Sequence, residues 1–138
     1  MRVVFYSYLF VAVGGALGAM ARFGFNLFLQ RDVEFPWGTL TSNLLGCLLM
    51  GVVAQLISNT AWFNDAGIIP DQYRLLFAVG FCGSFTTLSS LVLEMNIMLQ
   101  KNEIFYSFTY FVGTLVGGFA CFYIGIMCVR VLLQLQNS

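Results

Sequence analysis

Four apolar runs fill this chain, at about 3–29, 38–58, 73–100 and 104–133, and polar residues collect in three short gaps between them. A hydrocarbon core about 30 Å thick takes roughly 20 apolar residues per helical crossing, so the pattern predicts four membrane-spanning helices. The gaps read QRDVEFPW, NTAWFNDAGIIPDQ and KNE, and they hold the turn formers, both prolines and most of the charges. Trp37 and Trp62 fall at span ends, where amphipathic rings favour the headgroup layer. No linker, low-complexity tract or soluble domain remains, so residues 1–138 are expected to form one transmembrane domain in the lipid bilayer.

Composition agrees with lipid as the solvent. Of 138 residues, 59% are hydrophobic and only 9% are charged, and the mean hydropathy is +0.86. A soluble domain carries about a quarter of its residues as charges. The N-terminus has some marks of a signal peptide, with Arg2 before an apolar stretch and Ala19-Met20-Ala21 as a small-residue site. Its glycines, the immediate Arg22 and three further spans favour retention in the membrane instead.

Catalytic chemistry has little to work with. The chain has no histidine, and Cys47, Cys82, Cys121 and Cys128 sit singly inside apolar spans. A free buried cysteine behaves as a small hydrophobe. An enzyme is not expected, no transition-metal site is visible, and nothing calls for a nucleic-acid partner.

The basic residues divide evenly between the two ends of such a bundle. Arg2, Arg74 and Arg130 fall on the side of the termini, and Arg22, Arg31 and Lys101 on the other. Lys and Arg bias near span ends sets orientation, so a tie lets both orientations insert. Inverted copies can then pair about an axis in the membrane plane as an antiparallel homodimer. Chance also splits six charges evenly, and the tie alone does not separate the two.

Inside the spans, small and polar residues are the informative ones. Gly14, Gly15, Gly18, Gly46, Gly51, Gly113, Gly117 and Gly118 give small-residue faces that allow close helix approach in lipid. Thr39 and Asn43 lie four apart on one helical face, either as helix glue or as pathway lining. Arg22, Asn26 and Asn96 lie near span ends, where snorkelling or capping competes with function. The stretch GFCGSFTTLSSL, 80–91, has two glycines and five hydroxyls. Gly80, Gly83 and Ser84 disfavour a continuous helix, and Thr86, Thr87, Ser89 and Ser90 offer hydroxyls to backbone groups that a break would expose. A third span broken mid-membrane is one reading. A straight helix whose hydroxyls bond back to the preceding turn is the other.

At these residues the chain resembles a known family, the Fluc fluoride channels, also called CrcB proteins. GGALGAMARF at 14–23 resembles the family pattern GGxxGAxxR, GTLTSNLLGCLLMG at 38–51 resembles GTLxxNxxGxxxxG, and GFCGSFTTLSS at 80–90 resembles GFCGGxTTFSS/T. Three ordered motifs on three spans, with matching length, cover nearly the whole chain. The resemblance implies a dual-topology antiparallel dimer with two fluoride pores and a sodium ion at its centre. It implies sodium held by the backbone carbonyls of Gly83 and Thr86, in a break made by the glycines and lined by the hydroxyls of Thr87, Ser89 and Ser90. It implies Arg22 at an anion vestibule, Asn43 donating to fluoride, and Thr39, Ser89 and Glu94 in the polar interior. On the fourth span, Thr114 and Tyr110 match a polar track.

The chemistry suits such a path. Fluoride is small and strongly hydrated, so hydroxyl and amide donors and the positive edges of aromatic rings must replace its water without trapping it. One departure stands out. The family pattern TTFSxF carries two phenylalanines where this chain has Leu88 and Leu91, and leucine has no quadrupole. Phe81 and Phe85 lie close by, spaced four apart, as packing residues or as substitute rings. The expected function is therefore passive fluoride export across a bacterial-type inner membrane, relieving toxicity. Two alternatives remain in view: a non-conducting or heterodimeric partner subunit, and a small multidrug transporter. The second needs an acidic residue in its first span; here Glu94, late in the third, is the only intramembrane carboxylate.

Overall fold

The computed structural model describes residues 2–30, 35–58 and 70–136. Arg31, counted among the basic residues on the side away from the termini, and Trp62, expected at a membrane interface, lie outside them. The regular elements of the described residues are all helical: α1 (Arg2–Leu29), α2 (Trp37–Ser58), the single turn α3 (Pro70–Tyr73), a π-helical stretch (Arg74–Cys82), α4 (Gly83–Phe85), α5 (Leu88–Gln100) and α6 (Ile104–Gln136).

By length and apolar composition four segments can cross a membrane: Val4–Leu29, Trp37–Ser58, Asp71–Gln100 and Ile104–Leu135. The limits predicted from the apolar runs differ by only a few residues. At 1.5 Å per residue the 33 residues of α6 extend about 50 Å. That exceeds a hydrocarbon core of about 30 Å, so α6 tilts or projects beyond it. Large side chains such as Phe5, Tyr8, Phe28, Phe105 and Leu135 stand exposed on the outside of the single chain. Such a surface suits acyl chains and not water.

In lipid, apolar burial no longer drives association, and close packing takes its place. Glycine makes the closest approaches. A side chain at Gly14 would run into the Leu76 carbonyl and one at Gly18 into Phe81 O and Ser84 Oγ, so α1 lies directly on the π-helical stretch. Gly80 completes that crossing, because a Cβ there would stand 2.9 Å from Gly14 Cα. On the other side, Gly51 meets the Phe122 carbonyl, Gly125 the Leu48 carbonyl, and Gly117 the Leu44 side chain, which joins α2 to α6 along their lengths. Gly15 and Gly113, grouped with these glycines in the sequence, have open space beside them.

The backbone around 80–91 departs from the expected cause of its irregularity. Gly83 is helical (φ −62°, ψ −31°), and the helical trace runs past both glycines to Phe85. Extended geometry comes at Thr86 (φ −84°, ψ 151°) and Thr87 (φ −150°, ψ 121°). The glycines therefore do not make the interruption. Gly80 is spent on close packing, and the chain leaves the helix where a side chain from α2 captures its backbone.

Candidate functional site

That side chain is Asn43, 7% exposed on α2. Its Oδ1 accepts the Thr87 N–H at 2.7 Å, and its Nδ2 donates to the Thr87 carbonyl at 3.2 Å. One amide thus satisfies both backbone groups of a non-helical residue, which would otherwise be costly to hold away from water. An asparagine has two N–H donors, and only one of them is used on Thr87. Gly46, one turn along, lets Thr86 settle against α2, since a Cβ there would strike the Thr86 methyl.

The remaining polar groups of the interruption fit together around Thr87. Its hydroxyl caps α5 by accepting the Ser90 N–H at 3.2 Å. It also lies 3.0 Å from the Ser89 hydroxyl and donates toward Ser90 Oγ at 3.3 Å. Thr86 bonds back, with its N–H and hydroxyl reaching Cys82 O at 3.1 and 2.9 Å. Arg22, from α1, donates its Nε–H to Ser84 O at 3.2 Å.

The carbonyls of residues 83–86 lose their helical i+4 donors in this arrangement, and two of those donors are taken by side chains. A continuous helix would bond Thr87 N–H to Gly83 O and Ser90 N–H to Thr86 O. Here Thr87 N–H goes to Asn43 and Ser90 N–H to the Thr87 hydroxyl.

Beside the clamp lies a groove of about 460 Å³, lined at one end by Asn43, Thr86, Thr87 and Thr114, with Leu88 and Leu91 alongside. Leu88 is 69% exposed and Leu91 only 2%. The Thr114 hydroxyl donates to Tyr110 O at 2.7 Å and keeps its lone pairs free for a donor.

A second polar cluster lies apart from the groove. Glu94 on α5 accepts from the Thr39 hydroxyl on one oxygen and from the Tyr110 hydroxyl on the other, each at 2.7 Å. Thr39 and Tyr110 are fully buried, and Phe35 stacks edgewise on Tyr110 with ring centroids 5.4 Å apart. No basic side chain pairs with Glu94 among the described residues.

The structure therefore divides the residues singled out in the sequence. Asn43, Thr86, Thr87, Leu88, Leu91 and Thr114 share the groove. Thr39, Tyr110 and Glu94 form the closed cluster, and Arg22 touches the carbonyl of Ser84. Phe85 is buried, stacked on Phe81 at 5.5 Å and edge-on to Phe25 at 5.6 Å, which is a packing environment. Met50, Leu115, Phe119 and Phe122, not among the residues singled out in the sequence, also line the groove. The signal was present in α6, where 114, 115, 118, 119 and 122 recur at helical spacing on one face.

Four apolar helices, glycine-mediated crossings and a polar clamp on a non-helical threonine pair define a polytopic helical membrane protein with a built internal site. The family model described as "CrcB-like protein, Camphor Resistance (CrcB)" matches residues 9–126. The chain is 42% identical over 123 residues to a fluoride-specific ion channel FluC of Chlorobium phaeobacteroides (strain BS1), covering 88% of this chain and 91% of that one. It is 39% identical over 132 residues to its counterpart in Prosthecochloris aestuarii, covering 95% and 98%, and 36% identical over 132 residues to that of Methylobacillus flagellatus, covering 94% and 98%. The chain belongs to the CrcB-like family.

Proposed function

We propose that this protein is a passive fluoride-selective channel, not an enzyme, that exports fluoride across a bacterial inner membrane. The observation that carries the reading is the groove: a buried amide, Asn43, with one N–H not used on Thr87, in a lining free of any charged side chain. The Thr87 and Thr114 hydroxyls, whose protons go to Ser90 Oγ and Tyr110 O, serve an anion only by rotating away from those acceptors. Neutral donors can replace the water of a small anion without holding it as a full cation would. The fluoride channels among its relatives make fluoride the ion of choice.

The path runs past Asn43, Thr87, Ser90 and Thr114, with Ser89 at its edge and Arg22 raising the local anion concentration at its mouth. Thr39 and Tyr110 extend it only by releasing Glu94, because each hydroxyl has a single proton to donate. The interruption at Thr86–Thr87 sits at mid-bilayer depth, where non-helical backbone is tolerated when buried or facing a polar cavity.

The working unit is an antiparallel homodimer of inverted copies with two pores, a reading supported by the even split of basic residues. Gly83 and Thr86 suit a central sodium ion, since side chains take the helical donors of both carbonyls. Bound there, sodium supplies fixed positive charge without a basic side chain. Replacing sodium by a large organic cation is expected to weaken the dimer, read by glutaraldehyde cross-linking in detergent; an unchanged dimer counts against the ion.

A second reading, a subunit that conducts only with a different partner chain, is favoured by Leu88 and Leu91 at positions where the resembled pattern has rings. Expression in a fluoride-sensitive bacterial strain separates the two. Restored growth in fluoride is expected from the chain alone. Growth restored only with a co-expressed second homologue selects the heterodimer, and failure of both with protein present in the membrane contradicts the channel.

A further inference from the structure

We infer that Arg22 caps the third span where its helix ends, giving the Ser84 carbonyl the donor that the interruption removes, and so is a positioning residue for the Asn43–Thr87 clamp. The inference rests on the channel reading above, in which Arg22 acts by charge alone, and adds a second task for its side chain.

Spacing sets the face of α1 that meets the third span. Gly14, Gly18, Arg22 and Phe25 recur at intervals of four, four and three, so they share one side of the helix. Each meets the third span in order. Gly14 lies on the Leu76 carbonyl, Gly18 on Phe81 O and Ser84 Oγ, Arg22 on Ser84 O, and the Phe25 ring stands edge-on to Phe85. The two segments therefore run in the same direction, and the glycines bring α1 close enough for the side chain at 22 to reach main chain.

In a continuous helix Ser84 O would accept the Leu88 N–H. With Thr86 and Thr87 extended, that donor is lost. Arg22 Nε–H takes its place at 3.2 Å. A carbonyl without a donor is costly away from water, and a guanidinium at a helix C-terminus also suits the negative end of the helix dipole. The Ser84 hydroxyl turns back on Phe81 O at 3.1 Å, in space that Gly18 leaves open. No carboxylate competes for Arg22: among the described residues the salt bridge is Arg74–Asp71.

The interruption is thus held at both ends. Arg22 from α1 fixes Ser84, and Asn43 from α2 fixes Thr87, three residues on. Between them Phe85 packs on Phe25 and Phe81, and Thr86 settles against Gly46. Releasing Ser84 loosens the backbone that presents Thr87 to Asn43 and to the groove.

Arg22→Gln and Arg22→Met separate the cap from the charge. Glutamine sets an amide N–H as many bonds from Cα as arginine sets Nε–H, without the charge, and methionine puts a methyl group there. Amide hydrogen exchange over residues 84–90 is followed in purified protein, and fluoride and chloride efflux in liposomes. In Arg22→Met, exchange is expected to rise and fluoride-over-chloride preference to fall, each roughly tenfold, the equivalent of one hydrogen bond. Arg22→Gln keeps the parent's exchange and preference and loses only the salt dependence that a charge confers on flux. Parent-like exchange in Arg22→Met, or exchange in Arg22→Gln as fast as in Arg22→Met, overturns the cap. Faster exchange with unchanged preference overturns the positioning role. A silent parent chain contradicts the channel reading and leaves the exchange comparison to decide the cap. Should Arg22→Met fail to run as monodisperse protein, Arg22→Lys replaces it under the same outcomes, since it sets a methylene where Nε stood and its ammonium snorkels to the headgroups.

Discussion

The clamp at Asn43 and the cluster at Glu94 are both polar sites inside an apolar bundle, and they are built on opposite principles. Asn43 spends one donor and one acceptor on backbone that has left the helix, faces a groove, and carries no charge. Glu94 takes one buried hydroxyl on each oxygen, and its partners Thr39 and Tyr110 are sealed from solvent. The first arrangement leaves donor capacity for a passing ion. The second uses its donors to satisfy a carboxylate. On the channel reading proposed above, an anion path would follow the neutral clamp and borrow from the acidic cluster only where that cluster opens.

The most damaging way to break this distinction is to put charge into the clamp. Asn43→Asp keeps an oxygen for the Thr87 N–H but turns a second oxygen toward the Thr87 carbonyl, and places negative charge on the groove wall. Fluoride flux is expected to fall to the level of protein-free vesicles, and flux that persists removes Asn43 from the path.

A gain is expected on the same wall. Leu88 is exposed and borders the groove, so Leu88→Phe has room for its ring and should raise fluoride flux severalfold. Leu91 packs with Met98 and Tyr110, so Leu91→Phe overpacks the core. It should lower thermal stability by about 1–3 kcal/mol and improve nothing. Equal gains from both would mean that burial does not govern access to this wall.

The smallest change in flux belongs to the acidic cluster. Tyr110→Phe removes one of the two donors on Glu94 and should cost about 0.5–1.5 kcal/mol, the usual net worth of an intramolecular hydrogen bond, with flux reduced far less than by Asn43→Asp. Thermal unfolding and efflux on the same preparation check both parts. A flux loss as large as that of the Asn43 variant would erase the distinction between the two regions.

The sequence made the helices plain because a membrane span announces itself by length and apolarity, and α1, α2 and α6 match their apolar runs closely. Asn43 and Thr39 stood out as polar residues one turn apart, yet they serve different clusters. Spacing reports a shared face and not the partner across it. Gly80, Gly83 and Ser84 are local helix breakers, yet the extended residues are Thr86 and Thr87, and they coincide with a tertiary contact, Asn43 on Thr87, which no local propensity encodes.

Fluoride efflux from liposomes holding this chain alone, followed by a fluoride electrode and with chloride as the control anion, tests the central claim most directly. Rapid loss of fluoride with chloride retained is the predicted result. Equal release of both ions, or retention of fluoride by well-folded protein, would contradict a selective pore formed by this chain on its own.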